Sequence, residues 1–358
     1  MMKIAYVINY ISNIGPGKVV QNIIKNMPVE KYDVYLITLF SEHNDLAVVS
    51  DLERCGIKVL SCTTLKKSLC FLGVAGEFYR TIDAYDFDII HAHGIIPDIL
   101  TVKVPKRIMK ITTIHNNMFE DYVNSFGRIK GWIYIKVHLA KLKKMNTIVC
   151  CSKFVEDKLR EKLINARMAT IYNGIETTQA NTKITRSDLA LPEDALVYIF
   201  AGNISEGKRV DWIVEKFVEY NFQNAYLLIL GDGPLLEKCK AIANERVIFT
   251  GYTNDPIAYF NISDVYVSSS KSEGFSIAVL EALDNGLRLL LSDIPSHKEV
   301  IENSKVPIGV AFNDNNILEK FSIIANSKIE RQDIIKYKEE TYSARIMTYQ
   351  YIEKYEKG

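Results

Sequence analysis

Residues 268–286 read SSSKSEGFSIAVLEALDNG and decide the fold. A polar loop carrying Glu273 leads into a run whose apolar residues recur at the spacing of one buried helix face. Ser276 stands before this run as a candidate N-cap, and Gly286 stands where such a helix ends. Glu281 lies inside the run. The stretch therefore predicts a loop and a helix, with one carboxylate before the helix start and a second about a turn and a half inside it.

This arrangement indicates a particular ligand chemistry. The start of a helix carries partial positive charge and favours phosphate groups. Carboxylates repel phosphate, but they accept hydrogen bonds from sugar hydroxyls. Two carboxylates on either side of a helix start therefore suit a sugar on one side of a diphosphate and a ribose on the other. An ordinary surface helix with two solvated glutamates remains the alternative.

The wider sequence carries a family resemblance. EGFSIAVLEALDNG, with SDVYVSSS before it and RLLLSDIPSHKEVI after it, resembles the nucleotide-sugar site of the retaining glycosyltransferases of family 4. The resemblance is strong over residues 195–301 and looser in the first half of the chain. It implies an α/β protein of the GT-B fold, with two facing Rossmann-like, doubly wound domains and a C-terminal helix that crosses back to the first.

The expected domains are an acceptor-side domain over residues 1–177, a nucleotide-sugar-binding domain over 178–340, and the returning helix over 341–358. A chain of 358 residues has room for two such domains. Residues 176–186, ETTQANTKITR, are polar without apolar periodicity and are expected to form the linker.

Composition points to a reduced compartment. Six cysteines form no CxxC pair and no metal-ligand spacing with histidine, so we expect small core residues. The opening MMKIAYVINYI reads as a buried strand and not as a signal peptide. No apolar run approaches the roughly 20 residues of a membrane span. We therefore expect a cytoplasmic protein, which could associate with the inner face of the cell membrane.

Charge is distributed unevenly. Residues 1–177 hold 24 lysines and arginines against 17 acids, and residues 178–358 hold 20 against 26. A basic first half is expected to meet something anionic. A membrane surface or a lipid-linked phosphate is favoured over nucleic acid, because no nucleic-acid motif accompanies the charge.

Residues 128–144, RIKGWIYIKVHLAKLKK, contain six basic residues and no acid. Their apolar residues form a broad expected stripe, made of Trp132, Ile133, Tyr134, Val137, Leu139 and Leu142. A basic amphipathic helix of this kind can lie on an anionic membrane surface. A domain helix with a solvated basic face is an equal alternative.

Two features of the first half are candidate ligand contacts. The loop SNIGPGK follows the first predicted strand, so Gly15 and Gly17 either cradle a phosphate or make a tight turn. The resemblance places this loop near the diphosphate and the acceptor. His115 follows a predicted strand, where open α/β sheets bind ligands, and the resemblance implies a contact with the donor sugar. His91 and His93 match a family spacing too, but a structural role is favoured for both.

In the second half, Lys208 lies just ahead of a predicted helix, where a cation can meet a diphosphate. The resemblance implies an arginine at position 203, but this chain has Asn203, which brings no charge. Arg209 is the candidate that compensates. Gly231 ends another strand in a Gly-rich turn. Tyr252 either stacks on the nucleotide base or simply packs.

We therefore expect a retaining glycosyltransferase that moves a sugar from a nucleotide diphosphate sugar, with UDP favoured over GDP, to a hydroxyl acceptor. The acceptor is expected to be a glycan or lipid-linked intermediate of a bacterial surface polysaccharide such as capsule, O-antigen or exopolysaccharide. The family needs no protein nucleophile, and no metal or cofactor is expected. The candidate catalytic residues are Glu273, His115 and Lys208. The candidate donor-binding residues are Gly15, Gly17, Asn203, Lys208, Arg209, Gly231, Tyr252, Glu273, Gly274, Phe275, Ser276, Ile277 and Glu281.

Three rivals stay open. A nucleotide-sugar epimerase on the same fold would act without an acceptor. A sugar-nucleotide-binding subunit without turnover is suggested by the missing charge at Asn203. A nicotinamide-dependent dehydrogenase is less favoured, since no GxGxxG with a downstream acid follows a predicted strand.

Overall fold

Short apolar runs alternate with amphipathic helices along the chain, the pattern of parallel sheets covered on both faces. The computed structural model describes residues 1–357 and forms two α/β units. Unit 1 contains Met1–Gly174 together with the segment from Ala344 onward, and unit 2 contains Ile175–Ser343.

Unit 1 is built on a seven-stranded parallel sheet in the order β3-β2-β1-β4-β5-β6-β7. Its elements, in chain order, are β1 Met2–Ile8, α1 Gly15–Lys25, β2 Tyr32–Thr38, α2 Leu46–Arg54, β3 Lys58–Ser61, α3 Lys67–Phe71, α4 Gly76–Tyr85, β4 Ile89–His93, α5 Ile95–Thr101, β5 Met109–Ile114, α6 Met118–Phe126, α7 Arg128–Leu142, β6 Thr147–Cys150, α8 Lys153–Arg160 and β7 Met168–Thr170. Strand order reverses between β1 and β4, as in a doubly wound fold.

Unit 2 is built on a six-stranded parallel sheet in the order β10-β9-β8-β11-β12-β13. Its elements are β8 Leu196–Ala201, α9 Val210–Tyr220, β9 Ala225–Leu230, α10 Leu236–Ile242, β10 Val247–Gly251, α11 Pro256–Asn261, β11 Val265–Ser268, α12 Ile277–Asp284, β12 Arg288–Ser292, α13 Pro295–Glu302, β13 Gly309–Phe312, α14 Ile317–Ala325 and α15 Arg331–Tyr342. Here the order reverses between β8 and β11. The expectation of two doubly wound α/β domains is confirmed.

The last helix, α16 (Ala344–Glu356), belongs to unit 1. Its buried tyrosines reach the sheet. The hydroxyl of Tyr355 lies 2.9 Å from that of Tyr6 and 2.8 Å from Nδ1 of His91, and the hydroxyl of Tyr351 lies 2.9 Å from Oγ1 of Thr113. These bonds account for a returning C-terminal helix, because each satisfies a polar group that burial would otherwise leave unpaired.

The polar stretch after unit 1 is held against unit 2. Thr177 donates to the carboxylate of Asp284 at 2.7 Å, and the backbone N–H groups of Asn181 and Thr182 donate to Asp255 at 2.8 and 2.7 Å. Residues 176–186 therefore form an irregular but tethered segment.

Helix α7 buries residues that mostly lie outside the predicted apolar stripe. Its buried residues are Gly131, Ile135, His138 and Leu142. Of the expected stripe only Leu142 is fully buried, while Trp132 and Ile133 are 56% and 53% exposed. The predicted apolar residues are therefore only partly buried, because contacts with neighbouring helices select which face of an apolar-rich helix is covered.

The cysteines were expected to be small core residues, and five of the six are buried. Cys62, Cys70, Cys150, Cys151 and Cys239 are buried, but Cys55 is exposed. Among residues 1–357, no helix is both long and apolar enough to span a membrane.

Candidate functional site

The candidate site lies at the carboxyl edge of the unit 2 sheet, where strand order reverses between β8 and β11. This position is where open α/β sheets bind ligands. The loops after the two strands are joined by hydrogen bonds. The N–H of Lys271 donates to the carbonyl of Gly207 at 2.8 Å, and Ser269 Oγ donates to the carbonyls of Lys208 and Arg209 at 2.8 and 2.9 Å. These bonds fix the position of Lys208 relative to the second loop.

The joined loops bring Lys208 and Glu273 into direct contact. Nζ of Lys208 forms an ion pair with Oε1 of Glu273, and Ser270 Oγ donates to the same oxygen at 2.8 Å. The side chains are 32% and 14% exposed, so the pair is sheltered but reachable. A cation and an anion therefore meet at the place where the sequence predicts a diphosphate next to a sugar.

Glu273 is held in its charged form. Burial acts to raise the pKa of its carboxyl group, but the charge of Lys208 and the hydrogen bonds from Lys208 and Ser270 outweigh it and lower the pKa. An ionised carboxylate only accepts hydrogen bonds. Glu273 is therefore suited to accept from hydroxyl groups.

The predicted helix follows directly as α12. Ser276 occupies the N-cap position, although its side chain makes no capping hydrogen bond. The helix ends in a Schellman motif, because Leu287 N–H donates to the carbonyl of Ala282 and Gly286 N–H to that of Leu283, both at 3.0 Å. Gly286 has φ of 68°, a conformation that favours glycine. The predicted start and end of this helix are confirmed.

Glu281 lies on α12 and shares a neighbour with Glu273. Burial raises the pKa of Tyr266 in β11, and the charges of Glu273 and Glu281 raise it further. Both carboxylates therefore lie near the same buried phenol. The remaining predicted members of this stretch, Gly274, Phe275 and Ile277, lie between them along the chain.

Other predicted residues of unit 2 lie at the same sheet edge. Asn203 is exposed and follows β8. Gly231 follows β9 with φ of 131°, and a Cβ there would lie 1.9 Å from the carbonyl oxygen of Gly202, so only glycine fits. Tyr252 follows β10 and is 72% exposed. Its side chain is therefore not part of the core.

Arg209 does not join the Lys208–Glu273 pair. Its guanidinium lies 4.3 Å from the ring centre of Trp212 and binds Asp314 at 2.8 Å. The structure therefore shows no compensation by Arg209 for the missing charge at Asn203.

His297 belongs to this region and was missed by the sequence analysis. It lies in the first turn of α13, is 1% exposed, and interacts electrostatically with both Glu273 and Lys208. A signal was present, since the residue follows the carboxyl end of a buried strand. The histidines of the first half were noted on that ground, and this one was not.

The remaining predicted residues lie in unit 1. Gly15 has φ of 51°, and a Cβ on Gly17 would lie 2.3 Å from the carbonyl oxygen of Ser12. His115 Nε2 lies 2.9 Å from Nδ1 of His93, and burial lowers the pKa of His115 to about 4. His91 has both ring nitrogens hydrogen-bonded within the buried core.

Within residues 1–357, no three histidine, cysteine or acidic side chains are grouped as metal ligands. The polar groups of the candidate site are instead an ion pair, hydroxyls and a helix start. Such a set can bind an anion and a polyhydroxylated group side by side.

Comparison with known proteins agrees with this chemistry. The family model described as Glycosyltransferase Family 4 matches residues 15–179, and the model described as Glycosyl transferases group 1 matches residues 181–341. Together they span nearly the whole chain.

Relatives and solved structures give the same result. The chain is 30% identical over 315 residues to the O-antigen biosynthesis glycosyltransferase WclY of Escherichia coli, covering 84% of this chain and 83% of that protein. It is 22% identical to the UDP-Gal:alpha-D-GlcNAc-diphosphoundecaprenol alpha-1,3-galactosyltransferase of Escherichia coli, covering 80% and 78%. Its fold is similar to that of Anabaena Alr3699/HepE in complex with UDP and glucose, with a TM-score of 0.78, 15% identity and full coverage of both chains.

Proposed function

This chain belongs to the glycosyltransferases of family 4 that carry a group 1 glycosyl transferase domain, and from that premise we propose that unit 2 binds a nucleotide diphosphate sugar through Lys208 and Glu273. The ion pair between these side chains at the switch point of the sheet carries the proposal. Lysine has three N–H donors, so Lys208 can bind diphosphate oxygens as the sugar hydroxyls approach Glu273.

The proposed reaction breaks the bond between the anomeric carbon and the diphosphate oxygen. The acceptor hydroxyl oxygen forms the new bond on the same face, and its proton passes to the departing diphosphate, so the anomeric configuration is retained. The leaving diphosphate gains negative charge, which the Lys208 ammonium and the start of α12 stabilise. No protein nucleophile and no metal take part.

The other candidate residues receive roles by the same chemistry. Glu281 holds the ribose hydroxyls, Asn203 donates an amide hydrogen bond to phosphate, and Tyr252 stacks on the base. Support for Tyr252 is its exposure, which leaves the ring face open to a planar ligand. For His115 of unit 1, the proposed role is a hydrogen bond to the donor sugar.

The donor is proposed to be a UDP-sugar and the acceptor a glycan or lipid-linked intermediate of a bacterial surface polysaccharide. Two observations support this choice. One relative is described as an O-antigen glycosyltransferase, and another as using UDP-Gal and a diphosphoundecaprenol acceptor. A lipid-linked acceptor would place the protein at the inner face of the cell membrane.

Surface chemistry on α7 supports a peripheral contact with anionic lipid. Ile129, Trp132 and Ile133 are 82%, 56% and 53% exposed, and they are flanked by exposed basic residues. Apolar side chains beside lysines and arginines suit the surface of an anionic membrane. The basic groups are attracted to the lipid headgroups, and the apolar side chains can enter the boundary between headgroups and acyl chains.

A donor screen tests the proposal. The full chain is incubated with UDP- and GDP-sugars, with and without a lipid-linked acceptor, and products are separated by chromatography. We expect slow release of free sugar without acceptor from one UDP-sugar, and faster consumption with an acceptor. A rearranged sugar nucleotide would indicate the epimerase instead. Binding without any turnover would indicate the non-catalytic subunit.

A further inference from the structure

His297 is a buried side chain beside the Lys208–Glu273 pair for which the proposed reaction has no role. It lies in the first turn of α13, which follows β12. Strand β12 pairs with β11, so α13 begins at the same sheet edge as the loop that carries Glu273. A chain of hydrogen bonds links the ring to the pair. Nδ1 of His297 lies 3.1 Å from Ser292 Oγ, which donates to the carbonyl of Ser270 at 2.7 Å. Ser270 Oγ in turn donates to Glu273 at 2.8 Å.

The hydrogen bonds of His297 determine which ring nitrogen carries the proton. Nδ1 lies 3.1 Å from the carbonyl oxygen of Ser292 and 3.1 Å from its Oγ. The carbonyl can only accept, and Ser292 Oγ donates its own hydrogen to the carbonyl of Ser270 at 2.7 Å. Both partners of Nδ1 are therefore acceptors, and Nδ1 carries the hydrogen.

The second nitrogen then has a lone pair and no proton. Burial lowers the pKa of His297 to about 4 against the opposing effect of Glu273, so the ring is neutral at pH 7. A neutral imidazole protonated on Nδ1 presents Nε2 as an acceptor. Nε2 is buried and has no hydrogen-bond partner among residues 1–357. Buried acceptors without a donor are rare in proteins, and each calls for an explanation.

We propose that His297 recognises the transferred sugar, with Nε2 accepting a hydrogen bond from one of its hydroxyl groups beside the hydroxyl that binds Glu273. The inference rests on the proposed donor-binding function of this site and adds a second acceptor to it. An ionised phosphate has only acceptor oxygens and cannot satisfy Nε2, whereas a sugar hydroxyl can. His297 therefore acts on the sugar half of the donor and not on the diphosphate.

Sugar binding at Nε2 requires the side chains around this atom to move. Nε2 is shielded from solvent, and Lys208 is about one-third exposed in its contact with Glu273. In this proposal, donor binding at the Lys208–Glu273 pair brings a sugar hydroxyl to Nε2 and rearranges the side chains that shield it.

The test compares His297→Asn with the unaltered full chain. The asparagine amide can still donate to the Ser292 carbonyl, as Nδ1 does, but it places no acceptor at the position of Nε2. Calorimetric titrations measure affinity for UDP and for UDP-glucose, UDP-galactose and UDP-N-acetylglucosamine. We expect the dissociation constant of the best UDP-sugar to rise about 5- to 20-fold, the effect of one lost hydrogen bond, while that for UDP changes less than about twofold.

A second variant and a set of analogues make the assignment specific. His297→Gln can bring an amide oxygen near the position of Nε2 and should restore part of the lost affinity. Among UDP-sugars that each lack one hydroxyl, one analogue should bind the unaltered chain more weakly than the parent UDP-sugar does. In His297→Asn, this analogue and the parent UDP-sugar should bind with similar affinity. The analogue measurement on the unaltered chain remains informative even if a variant fails to fold.

Two results would overturn the inference, namely equal weakening of UDP and UDP-sugar binding in His297→Asn, or unchanged affinity for both. If the unaltered chain binds a UDP-sugar and His297→Asn binds it equally well, the inference fails alone. If the unaltered chain binds neither UDP nor any UDP-sugar, the proposed function itself fails, so the two failures are distinguishable.

Discussion

Lys208 and Glu273 show what single residues reveal before a structure is known. Each follows the carboxyl end of a predicted strand, so both could be assigned to a ligand site. Their contact could not be predicted, because 65 residues separate them and the connecting loops are joined by hydrogen bonds from Ser269 and Lys271. His297 also follows a strand, but its contacts with Ser292 and its position near the ion pair could not be predicted from that signal.

Glu273→Gln tests the acceptor role of the carboxylate. The amide keeps the size of the side chain but loses the charge and one acceptor. We expect kcat/KM for the UDP-sugar to fall by about 2–4 kcal/mol in transition-state stabilisation, which is about 30- to 1,000-fold. The matched control is Glu206→Gln, a highly exposed glutamate paired with Lys271, which should leave kcat/KM within about twofold. Similar rates for both variants would refute the role of Glu273.

At the scale of elements, the sequence was most informative where signals are local. Helix α12 begins and ends where Ser276 and Gly286 predict, because capping and left-handed glycine depend on a few neighbouring residues. Helix α7 was predicted, but the sequence did not show which of its faces is buried. Its packing against neighbouring helices buries Gly131 and His138, two residues that hydropathy does not mark as core.

Gly286→Ala tests the end of α12. The substitution forces alanine into a left-handed backbone conformation, and its Cβ would lie 2.8 Å from Cβ of Arg331. We expect a loss of roughly 1–3 kcal/mol in the free energy of unfolding, measured by urea titration. Gly207→Ala is the control, because a Cβ there meets nothing within 4 Å. Equal stability of the two variants would contradict the assigned cap.

Vesicle sedimentation tests the peripheral contact through α7. We expect the protein to bind anionic vesicles at low salt, to dissociate at high salt, and to bind neutral vesicles weakly, because screening weakens the attraction between charges. The double variant Lys130→Gln, Lys136→Gln should bind less. Lys240→Gln with Lys336→Gln removes the same charge from unit 2 and should bind like the unaltered chain. No difference between anionic and neutral vesicles would exclude this contact.

At the scale of the whole molecule, the two units share a strand order but differ in their buried titratable groups. Unit 1 holds three buried histidines. Burial lowers the pKa of His91 to about 3 and that of His115 to about 4, and it lowers the pKa of His93 well below its usual value. Among the described residues of unit 2, His297 is the histidine whose pKa is lowered by burial. The sequence located the histidines of unit 1, but their burial follows from the sheet and from α16.

This difference predicts unequal sensitivity to acid. The unfolded chain takes up protons on histidine below a pKa of about 6.5, whereas the folded units do not until about pH 4 or lower. The stability that these neutral histidines contribute is therefore fully present above about pH 6.5, and it is lost as the pH falls from about 6.5 to about 4. Each buried histidine should lower the free energy of unfolding by about 2 kcal/mol between pH 7 and pH 5. We expect unit 1 to lose more stability than unit 2.

The two tryptophans make the comparison measurable, since Trp132 lies in unit 1 and Trp212 in unit 2. Urea titrations followed by fluorescence in Trp212→Phe report on unit 1, and those in Trp132→Phe report on unit 2. An equal fall of both midpoints between pH 7 and pH 5, or a larger fall in unit 2, would contradict the assignment of neutral buried histidines to unit 1.

The most direct measurement is calorimetric titration of UDP into the full chain and into Lys208→Ala, with Lys271→Ala in the adjoining loop after β11 as the control. Removing a charged hydrogen bond to the diphosphate should raise the dissociation constant about 10- to 150-fold, whereas the control should stay within about twofold. Equal affinity of all three proteins for UDP, or no binding by the unaltered chain to UDP or to any UDP- or GDP-sugar, would contradict the claim that this lysine and its glutamate partner hold the donor.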